Sequence, residues 1–316
     1  VRDITNPTTY YYWNWLTSWE PNEPNNWTTV DSLNDLGGGN YSWSKTFNGN
    51  WTSGHKYQVQ IYAKDNADNY ETAGTGSIFY FDDTVSTSCV FYPVSNTSLD
   101  ILDRSYSSVD NISGTATDIA SGPYPAGVKK VELRIKEEGG GYLTSASGPF
   151  GGETWLVADV FTSYTSSASY KLNLSSTIWT SDKKYYINPM AYDNTDTPSS
   201  NVEVAFTTWT FVFDNAAPNS SITSPKNGTY QSNITSISGT TYDLTTGVNN
   251  LKVAIRKKDD PNQGYYWNGS TWTSVGTWAW LDTTGAFPSN PNVTVNWNWT
   301  TSTTTWTSGN RYELFS

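Results

Sequence analysis

The chain has 316 residues, a formal net charge of −11, 36% apolar and 16% aromatic residues, and only one cysteine and one histidine. That length accommodates two or three separately cored domains, and with 16 Trp and 22 Tyr those cores are built from rings more than from Leu or Ile. The acidic balance leaves no basic face to neutralise phosphates, which argues against nucleic acid and acidic membranes as partners; Cys89 alone forms no intrachain disulfide, and no apolar run approaches the ~20 residues of a membrane-spanning helix.

The first segments have late counterparts. Val1-Arg2, Pro7 and Tyr11-Tyr12-Trp13-Asn14 stand opposite Ile255-Arg256, Pro261 and Tyr265-Tyr266-Trp267-Asn268, all 254 residues on. Residue 1 therefore falls partway into a repeat. Next comes a stretch that the chain writes three times: Trp51-Thr52-Ser53-Gly54-His55-Lys56-Tyr57, Trp179-Thr180-Ser181-Asp182-Lys183-Lys184-Tyr185 and Trp306-Thr307-Ser308-Gly309-Asn310-Arg311-Tyr312, 128 and 127 residues apart. Gly or Asp in the middle suits a turn with positive φ. The tyrosine that follows is placed to turn its hydroxyl back to that turn, as at the corner of a β-sandwich.

After the first tyrosine, Tyr57, Val59, Ile61 and Ala63 alternate with polar residues, the period of a half-buried strand. Tyr185, Ile187 and Ala191 repeat the pattern, with Pro189 predicting an edge or a bulge. Phe81-Asp82-Asp83 and Phe213-Asp214-Asn215 close β-rich runs 132 residues apart. Residues 90–94, with Pro93, match 222–226, with Pro225; Ile112-Ser113-Gly114-Thr115-Ala116-Thr117-Asp118 matches Ile237-Ser238-Gly239-Thr240-Thr241-Tyr242-Asp243; and Val128, Val131, Leu133 and Ile135 match Val248, Leu251, Val253 and Ile255. Hairpin-like regions around Trp155 and over 267–280 lengthen each unit beyond the ~100 residues of a plain immunoglobulin domain.

Short strands, turn residues every few positions and no helical period predict an all-β protein of tandem immunoglobulin-like β-sandwich domains. The expected units are 1–82, lacking its first strands, 83–214, complete, and 215–316, stopping within the strand after its tyrosine. Termini in mid-strand leave backbone groups unpaired, so the expectation is a slice of a longer repetitive chain; the rival is strand donation between subunits. The motif order Ser221-Ile222-Thr223-Ser224-Pro225, Ile237-Ser238-Gly239-Thr240, Tyr266-Trp267-Asn268-Gly269, Trp280 and the Trp corner, with Ala63-Lys64-Asp65-Asn66-Ala67-Asp68-Asn69-Tyr70-Glu71 in the first unit, resembles the bacterial and archaeal Ig-like repeats of long cell-surface proteins. The resemblance implies a repeat type, not a particular activity.

Three constellations carry chemistry. Asp65, Asp68, Asp82, Asp83, Asp193, Asp196 and Asp214 supply carboxylates at recurring loop positions, which suits Ca²⁺ at domain junctions or plain turn capping. Trp13, Trp15, Trp267 and Trp272 lie in ring-dense hairpins, which suits core, contact with another copy of the chain, or stacking on a glycan. Asn26, Asn40, Asn50, Asn96, Asn173, Asn219, Asn227, Asn268, Asn292 and Asn298 open Asn-x-Ser/Thr sequons in loops; Asn111 and Asn233 do so at strand starts. His55 takes a turn position filled by Lys183 and Asn310 in the other copies and reads as an exposed bystander, so triad and His-metal chemistries lack partners. Cys89 reads as a half-buried free thiol, and Arg2, Arg134 and Arg256 as cover for aromatic or carboxylate neighbours.

The expected function is mechanical and non-enzymatic: an extracellular repeat protein that spaces, coats or forms a filament or sheath at a cell surface, with itself as partner, no membrane insertion in these residues, and Ca²⁺ as the one candidate cofactor. The alternative is a glycan-binding adhesin. A third reading makes the units accessory modules of a polysaccharide-degrading enzyme.

Overall fold

The computed structural model describes residues 1–21, 27–94, 105–163, 165–195, 201–205, 207–259, 264–274, 278–301 and 304–316. Every regular element among them is a β-strand, so the chain is all-β. None of the described residues forms a helix long and apolar enough to cross a membrane.

The repeated stretch builds the same corner three times. Tyr57, Tyr185 and Tyr312 each accept the backbone N–H of Thr52, Thr180 and Thr307 on the phenolic oxygen, at 2.8 Å in all three. The turn residues Gly54, Asp182 and Gly309 have φ of 75°, 66° and 81°, the left-handed conformation that Gly and Asp tolerate. Each tryptophan meets its tyrosine edge to face, with centroids 4.7, 4.8 and 4.8 Å apart. That geometry suits the quadrupoles of the two rings. Trp51, Trp179 and Trp306 and their tyrosines thus share one corner geometry.

Residues 90–213 enclose one buried cluster, with Val128, Val131, Leu133, Ile135, Tyr185 and Ile187 fully inside. The sheet around it is continuous. Strand Leu156–Phe161 pairs with Val128–Glu137 through Leu156, Val157 and Ala158, then with Ser167–Asn173 through Asp159, Val160 and Phe161. The two layers expected of a sandwich are therefore joined by a strand that passes from one to the other, and the sheet curls around its core. Residues 222–314 enclose a second cluster centred on Ile237, Val253, Ile255, Trp267 and Trp297.

Glycine in the repeated Ile-Ser-Gly-Thr motif has a packing reason. A Cβ on Gly114 would lie 1.9 Å from the Cys89 carbonyl oxygen and 2.6 Å from the Tyr170 hydroxyl; one on Gly239 would lie 1.8 Å from the Ser221 carbonyl and 2.6 Å from the Trp297 ring. Both glycines admit a neighbouring strand and a buried ring. In the first unit the matching ring is Trp43, on strand Asn40–Ser44, which pairs among the described residues only with Ser32–Gly37. Trp43 is 44% exposed, against 1% for Tyr170 and 2% for Trp297.

One expectation needs correction and one holds. The first unit's strand ends at Val59, where its ladder with Ser77–Phe81 ends, rather than at Ala63, and Ile61 is exposed. Its counterpart Lys183–Asp193 runs the full 11 residues along Val128–Glu137. Pro189 sits inside that strand, two residues beyond Ile187, where the opposite ladder with Trp209–Phe213 ends. The missing N–H thus falls on an open side, the local edge that proline requires.

Candidate functional site

Three strand ends meet where the first unit joins the second. Asp82 follows strand Ser77–Phe81, Asp118 follows Asn111–Thr117, and Asp193 closes Lys183–Asp193 beside Val128. One carboxylate oxygen of each lies within 4.8 Å of one from the other two. Asp118 and Asp193 are fully buried and Asp82 partly so.

Neutral donors hold two of the three. Asp82 Oδ1 accepts the Ser53 hydroxyl at 2.6 Å and the Thr84 N–H at 3.0 Å, and Oδ2 accepts the Ala126 N–H at 2.6 Å. Asp193 Oδ1 accepts the N–H groups of Thr195 and Asn201, and Oδ2 the Asn201 side-chain amide at 2.6 Å; that amide also reaches the Asp82 carbonyl oxygen. Asp118 differs. Its Oδ2 accepts the Gly127 N–H at 2.6 Å, while its buried Oδ1 meets no donor, the only such carboxylate oxygen among the described residues. Among those residues no Lys, Arg or His pairs with any of the three.

The charges register this. Burial, with the repulsion of Asp82 and Asp193, pushes the Asp118 carboxyl up to about 6 despite the Gly127 bond, and Asp82 lies within hydrogen-bonding reach of it. At Asp82 burial also pushes upward, but the hydrogen bonds from Ser53, Thr84 and Ala126 outweigh it and hold the carboxyl below its ordinary value. Ser86, four residues on in the same linker, is buried with its hydroxyl unpartnered.

The long loop 119–126 explains the arrangement. It reaches over to the corner of the first unit, where Gly122 N–H and the Ser121 hydroxyl donate to the Ser53 carbonyl and Tyr124 N–H donates to that of Gly54. Tyr124 packs on Tyr80, and a Cβ on Gly122 would strike the Gly54 backbone and the His55 ring. His55 is therefore no exposed bystander: half-buried, its Nδ1 lies 2.6 Å from Asp3 Oδ2.

The remaining expected metal ligands are elsewhere. Asp65 is exposed and caps its own turn, accepting from Ala67 and Asn69; Asp68 is exposed, at φ 65°, and pairs with Lys64. Asp83 is exposed and donates its N–H to Ser53 Oγ, and Asp196 lies outside the described residues. Asp214 belongs to the next junction, described below. Asp118, which recurs in sequence as Asp243, completes the cluster, in surroundings its counterpart does not share.

Of the three readings of the ring-dense hairpins, core holds for two of the four rings. Trp13 and Trp267 are 5% and 1% exposed and serve as core, so neither meets a partner or glycan. Trp15 is half-buried against Phe47 and Lys45, and Trp272 is half-buried among Trp267, Trp306 and Tyr312, its Nε1 donating to the Thr305 carbonyl. Trp278 and Trp280 are the exposed pair instead, near-parallel with centroids 6.1 Å apart. Asn40, Asn50, Asn173, Asn219, Asn227, Asn268, Asn292 and Asn298 are exposed, whereas Asn26 and Asn96 lie outside the described residues. Arg134 covers Trp155 and pairs with Glu153, Arg256 pairs with Glu313, and Arg2 lies over Tyr10. Cys89 is half-buried, its Sγ near Thr115 Oγ1.

Compared with known proteins, the chain matches no family model and no curated sequence.

Proposed function

We propose that the chain is a non-enzymatic structural repeat protein of the cell exterior, made of tandem Ig-like sandwich units at about 1–82, 83–214 and 215–316, that spaces, coats or builds a filament or sheath by self-association. One observation carries this reading: the same joint is built twice. Ser53 donates to Asp82 and receives the Asp83 N–H, and Ser181 donates to Asp214 and receives the Asn215 N–H. Both joints tie the corner of one unit to the linker leaving it. A repeated polar joint limits bending, and length then comes from repetition.

Small-angle X-ray scattering on the 316-residue chain tests this. A stiff, elongated particle is the expected result; a compact globule, or a broad ensemble of freely hinged units, contradicts it. The adhesin reading draws support from the exposed Trp278 and Trp280 rings, since flat exposed rings stack on sugars. A glycan array on the native chain and on Trp280→Ala separates the two: binding that the variant loses while remaining folded favours the adhesin.

A further inference from the structure

The first junction gathers three acids around a buried oxygen that nothing satisfies. A buried carboxylate without a counter-charge is costly, and here one sits beside two more. The fold supplies an alternative that it does not use: at the second junction a loop of three residues lets Asp243 Oδ1 collect the N–H groups of Thr245, Thr246 and Gly247 at 3.1, 2.8 and 2.9 Å. The eight-residue loop after Asp118 spends its N–H groups on the first unit, and a single donor, Gly127, is left for that carboxylate. What remains is an inward-facing set of oxygens with no cation among the described residues.

We propose that this junction is a binding site for a hard divalent cation of the calcium class, held by Asp82, Asp118 and Asp193. Two oxygens each ~2.4 Å from one ion stand at most ~4.8 Å apart, and the three carboxylates meet that limit. The donors are oxygen only, whereas zinc favours imidazole and thiolate; the side chains of His55 and Cys89 are engaged elsewhere, with Asp3 and Thr115. Three carboxylates from a linker and two strand ends suit the adaptable 6–8-oxygen shell of calcium better than magnesium, which keeps several waters and few protein ligands. Each acid keeps one oxygen able to bind: Asp82 Oδ2 and Asp193 Oδ2 accept a single hydrogen bond each and Asp118 Oδ1 none, and a carboxylate oxygen has two lone pairs. Asp82 belongs to the linker and the other two acids to the second unit, so the ion ties the joint. The assignment rests on the junction geometry and holds whether or not the array coats a surface.

Calorimetric titration of CaCl₂ into the EDTA-treated 316-residue chain is the test. One saturable ion per chain is expected, with magnesium weaker. Asp118→Asn weakens binding at least about tenfold, a loss that even a supporting group's removal causes in metal sites, and Asp243→Asn leaves it unchanged. In EDTA, Asp118→Asn melts no lower than the native chain, because the amide removes a charge and not a packed volume. Absence of saturable binding in the native chain overturns the proposal, as does native-like binding by Asp118→Asn. Should circular dichroism show that Asp118→Asn is unfolded, Asp82→Asn takes its place: weakened binding supports the site and native-like binding overturns it.

Discussion

The two junctions begin from the same parts and end differently. In each, a corner serine donates to the aspartate that leaves the unit, and an aspartate at the end of an aligned strand faces it: Asp82 with Asp118 at the first, Asp214 with Asp243 at the second. Thr246 Oγ1 spans Asp214 and Asp243 at the second, at 2.8 and 3.3 Å, so a hydroxyl stands between the acids. At the first no such donor intervenes among the described residues, and a third acid, Asp193, closes in. What separates them is loop length. Eight residues lie between Asp118 and Gly127 and three between Asp243 and Gly247; both glycines have positive φ, 82° and 73°, and both lead into the next strand-like run. A short loop can only fold back on its own carboxylate. A long one reaches across, strengthens the joint and leaves the acid a single donor.

Exchanging the loops breaks the comparison most severely. Replacing residues 119–126 by Leu-Thr-Thr removes four hydrogen bonds across the first joint, worth about 1 kcal/mol each net. The expected outcome is faster limited proteolysis between the first two units and loss of any response to calcium, with the second unit still folded. A variant that keeps the calcium response shows that loop length is not the cause.

Next in size, Gly114→Ala and Gly239→Ala probe what the units share. Each methyl meets a backbone carbonyl below 2 Å, so each costs about 3 kcal/mol of its own unit's stability, read by denaturant titration. Unequal losses mean that the repeats differ in scaffold as well as in joint.

Smaller effects come from the corners. Tyr185→Phe strips the part-buried Thr180 N–H of its acceptor, at about 1 kcal/mol; Tyr312→Phe, where the bond is exposed, costs less than about 1 kcal/mol. Burial, opposed by the Thr180 N–H and aided by Glu137, pushes the Tyr185 hydroxyl up to about 12. The folded corner holds its proton after the unfolded chain has released it, so this contribution is whole below pH ~10 and is lost as pH climbs toward about 12. Alkaline melts of the native chain and of Tyr185→Phe measure it, the variant showing the shallower decline.

The corners were legible because everything they need lies within seven residues: ring, turn residue, tyrosine. The hairpin tryptophans were not, since strands of two or three residues are too short for alternation to show which face is buried, and Trp13 and Trp267 turned inward. Asp65 and Asp193 align in sequence but part in structure: Asp65 is exposed and caps its own turn, while the second unit's strand carries Asp193 to the joint. The likeness of Asp118 to Asp243 did not show that their surroundings differ. The signal was present in the five extra residues of the Asp118 loop, rich in Gly and Pro, which no pairwise likeness of strands weighs.

Crystals grown with calcium and measured for anomalous scattering test the difference between the joints most directly. The account predicts one peak, among Asp82, Asp118 and Asp193, and none between Asp214 and Asp243. Equal peaks at both joints, or none at the first, contradict it.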